Sequence, residues 1–190
     1  MNKYNLLFLL LFAVAATLPA QTEKGSIHIK NATVITITKG VLENTDVVVT
    51  DGKITGIGKS LKTPKGARVV DAAGQFVMPG IIDAHSHIAL DAVNEATHPI
   101  TAEVRTGDVL DPLDVGIYRA LAGGVTATHA MHGSANAIGG QCETIKLRYG
   151  TFNPNDLKME GAPRTIKFAL GENPMRVHGE GGGLMSRTRM

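Results

Sequence analysis

The segment Val77-Met78-Pro79-Gly80-Ile81-Ile82-Asp83-Ala84-His85-Ser86-His87 constrains this chain more than any other. An apolar run breaks at Pro-Gly, resumes, and delivers two histidines one residue apart. Side chains alternate along an extended segment, so His85 and His87 fall on one face, roughly 6 to 7 Å apart at the backbone. Two imidazoles so placed can share one metal ion. Ile81 and Ile82 are apolar neighbours rather than an alternating pair. That is the pattern of a strand buried on both faces in a parallel sheet, with the histidines at its carboxyl end.

Upstream, Ile27-His28-Ile29-Lys30 and Thr33 to Thr38 alternate apolar and polar residues with β-branched enrichment, which predicts half-buried strands. Asp46 to Thr50 predicts another. Asp51-Gly52 before Lys53 to Gly58 reads as a tight hairpin, because Asp-Gly tolerates the positive φ of a type I′ turn. With Arg68-Val69-Val70, residues 21 to about 75 form a small antiparallel β module. Gly58-Lys59-Ser60 mimics the end of a phosphate-binding loop, but Lys53 stands where that loop needs its first glycine.

Downstream, Asp91 to Thr106 is polar and aperiodic, with Glu95, His98 and Glu103, as expected of a solvated loop that could border a site. Asp111-Pro112 has the composition of a helix start, Leu113, Ile117, Ala120 and Leu121 recur at helical spacing, and Gly123-Gly124 ends the element. Val125 to Met131 is the next strand, so strand, helix and strand follow in the order of a parallel α/β unit. His129 and His132 stand at or past its carboxyl end, suited to line a pocket or hydrogen-bond there. Gly133 to Gln141 carries three glycines among small and amide residues. It is either a loop whose backbone approaches a ligand or a plain connector. Pro163 to Asn173 is a strand-like run with Lys167 inside it and Glu172 in the turn beyond. Residues from Val177 onward read as a polar terminus.

Pro-Gly-Ile-Ile-Asp-Ala-His-Ser-His, led by Val69-Val70-Asp71-Ala72-Ala73-Gly74 and Val77-Met78-Pro79-Gly80, resembles the first metal-binding motif of the amidohydrolase superfamily. Gly-Gly-Gln before Ile145-Lys146-Leu147-Arg148 narrows the likeness to its secreted, imidazolonepropionase-like branch. The resemblance implies an α/β fold: a partial (β/α)8 TIM barrel over residues 76–190, preceded by part of a small antiparallel β-sandwich over 21–75. It implies hydrolysis of carbon–nitrogen bonds in small amides or cyclic amides by water activated on one or two divalent ions, Zn2+ first among them. His85 and His87 would be ligands, with Glu172 as the favoured further ligand and Lys167, carboxylated, as the alternative. His129, His132 and Gln141 are candidates for the substrate pocket. The general base is expected from later strands.

Length tempers this. A (β/α)8 barrel takes about 250 residues, and Phe76 to Met190 is under half of that in a chain of 190. The expectation is a truncated member with an open sheet edge and little turnover of its own. The alternative is an inert product or a small-ligand binding protein. Lys3, the apolar run Leu6 to Ala16 and the small residue Ala20 read as a signal peptide over residues 1–20, so the chain is expected to be exported, periplasmic or secreted, without stable membrane insertion after its removal. Cys142 is the single cysteine, expected buried, and no intrachain disulfide can form. With 19 basic and 17 acidic residues, five Phe, three Tyr and no Trp, nothing calls for nucleic acid.

Overall fold

In the computed structural model of the 190-residue chain, residues 25–179 are described, and the signal-peptide reading of residues 1–20 lies outside them. The chain divides into two compact units between Pro79 and Gly80. Among the described residues, no helix is long and apolar enough to cross a membrane.

The first unit is one five-stranded sheet: β1 (Ser26–Ile35), β2 (Val41–Thr50), β3 (Lys53–Gly58), β4 (Arg68–Asp71) and β5 (Phe76–Val77). The order is β3-β2-β1-β4, with β5 also beside β1. The expected hairpin is present, with Asp51 at φ 49° and Gly52 at φ 76°. Two expectations need correction. β4 and β5 run parallel to β1, so the sheet is mixed rather than antiparallel. The two strands expected between Ile27 and Thr38 are one strand, irregular around Asn31 (φ 61°), and it stops at Ile35 because Thr36 to Gly40 fold into a turn closed by Thr36 N–H on the Gly40 carbonyl. Ala32, Val34, Val47 and Ala72 form the core.

Beside that core lies a buried polar clip. The Asp46 carboxylate, 3% exposed, accepts the N–H groups of Asn31 (3.1 Å) and Leu61 (3.0 Å). Fully buried His28 places Nε2 3.3 Å from Asp46 Oδ2, off the line of a good hydrogen bond, while Nδ1 meets the Thr63 hydroxyl at 2.7 Å. The clip ties the segment after β3 to β1 and β2. Burial alone would raise the Asp46 carboxyl, but the two N–H donors and His28 outweigh it and hold the group below its ordinary 3.8.

The second unit contains β6 (Ile81–Ser86), α1 (Val115–Ala122), β7 (Val125–Ala130), β8 (Ile138–Lys146), β9 (Thr165–Phe168) and α2 (Glu172–His178). Its sheet has the order β6-β7-β8-β9. β6 and β7 pair in parallel across α1, as the sequence implies, but β8 is antiparallel to β7 and β9 to β8. The strand-helix alternation of a (β/α)8 barrel therefore occurs once here, in a mixed sheet of an α/β fold. Ile81 and Ile82 are 48% and 70% exposed rather than buried on both faces, because β6 is the outermost strand among the described residues.

Helix α1 begins three residues later than its sequence suggests. Asp114, not Asp111, is the cap. Its Oδ1 accepts from Gly116 N–H (2.7 Å) and its Oδ2 from Ala89 N–H (2.6 Å), so one carboxylate satisfies a helix donor and a donor of the segment after β6. Asp111 serves only a local turn, accepting from Leu113 N–H. Ile117, fully buried, carries the helix into a core with Leu110, Ala130, Ile145, Leu147 and Leu157.

Asp46→Asn removes an acceptor from the buried clip, and its expected cost is about 1–3 kcal/mol, read by urea denaturation. Because the folded carboxyl is depressed, its contribution is complete above the unfolded value and fades as pH falls through the folded one. The gap between wild type and variant is therefore expected to hold at pH 7 and to close in strong acid.

Candidate metal centre

β6 ends at buried Ser86, and its two histidines flank that residue. Their ring centroids are 5.2 Å apart and nearly perpendicular, at 85°. His87 Nδ1 lies 2.8 Å from the Met131 carbonyl, which can only accept, so Nδ1 carries the hydrogen and Nε2 keeps its lone pair. A ring donating one nitrogen to a backbone carbonyl and offering the other is oriented as a metal-ligating histidine is.

Lys167, on β9 and 7% exposed, brings Nζ to 3.2 Å from His85 Nε2. The ammonium donates and the imidazole accepts. The Lys167 charge and partial burial, with His87 and His129 adding to them and Asp83 opposing, hold the His85 pKa below its ordinary 6.5. Two residues back on the same face of β9, the Thr165 hydroxyl meets His129 Nε2 at 2.7 Å. Three strands thus gather His85, His129, Thr165 and Lys167 on one side of the sheet, with His87 beside them.

The remaining candidates are placed elsewhere. Among the described residues no three His, Cys, Asp or Glu side chains come together as a metal seat, so Glu172 does not join the two imidazoles. It opens α2, exposed, and lines a cleft of about 390 Å3 with Lys167 and Ser134. His132, 2% exposed, spends both nitrogens on the backbone: Nε2 accepts from Glu95 N–H (2.9 Å) and Nδ1 donates to the Gly133 carbonyl (2.9 Å). It holds loops together rather than lining a pocket. Gln141 lies away from the imidazoles, its side-chain amide donating to the Ala102 carbonyl and its backbone N–H to Val104, and it lines a separate cleft with Glu143 and Arg164.

The glycines of the 133–141 loop serve the chain itself. A Cβ on Gly139 would sit 2.6 Å from His132 Nδ1, and Gly140, at φ 147°, lies so close to the Val104 carbonyl that a Cβ there would be 2.7 Å from its oxygen. Gly80 has the same role before β6, where a side chain would collide with Thr126. Sequence reasoning missed Thr165, although its two-residue spacing from Lys167 would have pointed to a shared face. It also missed the Met131 carbonyl, which no residue type announces.

No protein-family model matches this sequence. The chain is 36% identical over 154 residues to the amidohydrolase tasK of Hapsidospora irregularis, covering 70% of this chain and 16% of that protein. It is 32% identical over 152 residues to a dihydroorotase of Trichlorobacter lovleyi, covering 80% of this chain and 31% of that one. The crystal structure of an amidohydrolase from Thermotoga maritima MSB8 superimposes with a TM-score of 0.74 at 42% identity, over 81% of this chain and 41% of that one. The chain belongs to the amidohydrolase superfamily. It spans less than half the length of each of these three relatives. The gathered imidazoles and Lys167 lie on or next to β6, β7 and β9 of this chain.

The coupling between Lys167 and His85 is measurable without any metal. In an NMR titration the His85 midpoint is expected below 6.5, and Lys167→Met should move it up towards that value. A midpoint unmoved by the substitution would break the electrostatic link between β6 and β9.

Proposed function

We propose that this chain is part of an exported, metal-dependent hydrolase of carbon–nitrogen bonds in small amides or cyclic amides. The observation that carries the reading is the His87 ring fixed on the Met131 carbonyl with its Nε2 free, next to a His85 Nε2 that points at Lys167. Those donors fit part of the first shell of a divalent ion, and Zn2+, singly or as a pair, suits imidazole nitrogens. Such an ion supplies a water whose pKa falls to about 7 and a Lewis acid for the substrate carbonyl.

The chain's own residues have definite tasks in that scheme. His87 offers Nε2 in one tautomer. His85 keeps a lone pair into mildly acidic solution, because its pKa is depressed. Lys167 presents its nitrogen where a further ligand would stand, and carboxylation of the neutral amine by CO2, with loss of a proton, turns it from a cation into an anionic oxygen donor. This favours Lys167 over Glu172 as the third ligand. The names of the curated relatives, amidohydrolase and dihydroorotase, agree with amide or cyclic-amide substrates. Export rests on the apolar run Leu6 to Ala16 followed by Ala20.

The small set of donors gathered here, two imidazoles and Lys167, favours a second statement. The 190 residues alone bind the ion weakly and turn over negligibly. Calorimetry with Zn2+ tests the seat: His85→Ala and His87→Ala should each weaken binding by more than about 10-fold, the size of effect seen even for loss of an outer-shell partner. Zn2+ affinity unchanged in the double variant would sink the assignment. Hydrolysis of N-acyl amino acids or cyclic amides by the 190 residues at a rate typical of enzymes would sink the second statement.

A further inference from the structure

A second cleft, of about 220 Å3, opens where β8 passes from β7 to β9. It is smaller than the about 300–1,000 Å3 of pockets that take drug-sized ligands. Its charges are of both signs. Arg105 and Asp108 satisfy each other at 2.8 Å. The other three, Lys158, Arg164 and Glu143, have no side-chain hydrogen bond or ion pair among the described residues, although all three line the same cleft. Glu143 and Lys158 both lie against Gly107: a Cβ there would be 2.7 Å from Glu143 Oε2 and 3.6 Å from Lys158 Cε. A side chain at that position would close the space between them. Thr165 also lines the cleft, and its hydroxyl is bonded to His129 of the imidazole cluster.

We infer that this cleft binds an amino-acid-sized zwitterion, its carboxylate on Arg164 and Lys158 and its ammonium on Glu143. A guanidinium takes a carboxylate through two parallel N–H donors, and a carboxylate takes an ammonium as a charge-assisted pair. One ligand therefore pairs with three charged side chains that have no protein partner among the described residues and are otherwise solvated, Arg164 being exposed and Lys158 and Glu143 half-buried. This goes beyond the hydrolase reading and is independent of it. As a binding site it needs neither metal nor turnover.

Cys142, the chain's single cysteine, is half-buried rather than buried, lines this cleft, and makes a built-in reporter. The experiment follows its alkylation by iodoacetamide, a neutral reagent whose approach the charge variants do not steer, in the presence of L-alanine, L-alaninamide or N-acetyl-L-alanine. Alanine should slow the reaction saturably, about tenfold once it reaches roughly ten times its dissociation constant. The two analogues, each lacking one charge, should need about tenfold more to do the same, the loss expected for one charge-assisted contact.

Arg164→Gln and Lys158→Gln should abolish the preference for alanine over alaninamide while leaving that over N-acetylalanine, and Glu143→Gln should do the reverse. Circular dichroism and melting confirm that each variant is folded. Equal protection by all three compounds, protection by none, or variants that leave both preferences intact would overturn the inference. Because the readout uses no Zn2+ and no hydrolysis, it stands or falls separately from the metal seat. Loss of Zn2+ binding with alanine protection intact leaves the cleft and removes the hydrolase.

Discussion

The parallel pairing of β6 with β7 is the constraint on which the site depends. Ser86 lies opposite Ala130, so the two strands end side by side and the residue after each falls at the same rim. That register puts the Met131 carbonyl within reach of His87 Nδ1, and the return bond from Met131 N–H to the Ser86 carbonyl closes the pair. A shift of one residue would turn both histidines to the opposite face. The helix between the strands enforces the register from the other side: Asp114 caps α1 and grips Ala89, two residues past His87. The geometry of the two imidazoles is thus set by backbone pairing and one carboxylate.

The stretch from Asp91 to Leu110 looks from its composition like a mobile connector, yet it is strapped to the chain after β7 at nearly every step. Glu95 donates to His132, Gly133 to the Val93 carbonyl, Ala135 to Asn94 Oδ1, and Asn136 reaches the His98 carbonyl. Further on, Thr101 and Ile138 exchange bonds with Ile138 and Pro99, and Gln141 joins Val104. A long irregular segment normally runs over the surface because its backbone groups need water. Here a ladder of side-chain and backbone partners replaces that water, and His132 is one of its rungs. A histidine that looks like a pocket residue in sequence therefore serves to hold a wall in place.

What could be read from sequence was what a local rule decides. Asp51-Gly52 demanded its turn, the β-branched runs demanded strands, and Val125 to Ala130 followed α1 as a parallel unit must. The motif around His85 gave the family and two side chains on one face. What failed depended on partners distant in sequence. Asp111-Pro112 satisfies every local criterion for a helix start, but it is the Asp114 carboxylate that takes both the Gly116 and Ala89 N–H groups, while Asp111 meets Ala89 through its backbone N–H. Ile81-Ile82 has the composition of an interior strand, but burial belongs to the neighbours and not to the residue. The directions of β4, β5, β8 and β9 carry no local mark at all, because a strand reads alike whichever way its partner runs. The sequence favoured Glu172, past the end of the strand, over Lys167 within it, and only the pairing of β9 with β8 shows that Lys167 turns towards β6.

Lys167 then poses the sharpest electrostatic question in the molecule. Its ammonium, nearly buried, occupies the lone pair of His85 and lowers the affinity of that imidazole for a proton. For the same reason it opposes a divalent cation at the same nitrogen, since like charges that close together repel. The arrangement is self-consistent in one direction only. With its proton kept, Lys167 takes the place of an ion at His85, while His87 Nε2 stays free. Once carboxylated, under the hydrolase reading, it changes from repelling a cation to binding it, and the net charge offered to the ion by His85, His87 and Lys167 moves from positive to negative in a single covalent step. Under that reading, such a site draws its anionic donor from a modified lysine rather than from a further acid.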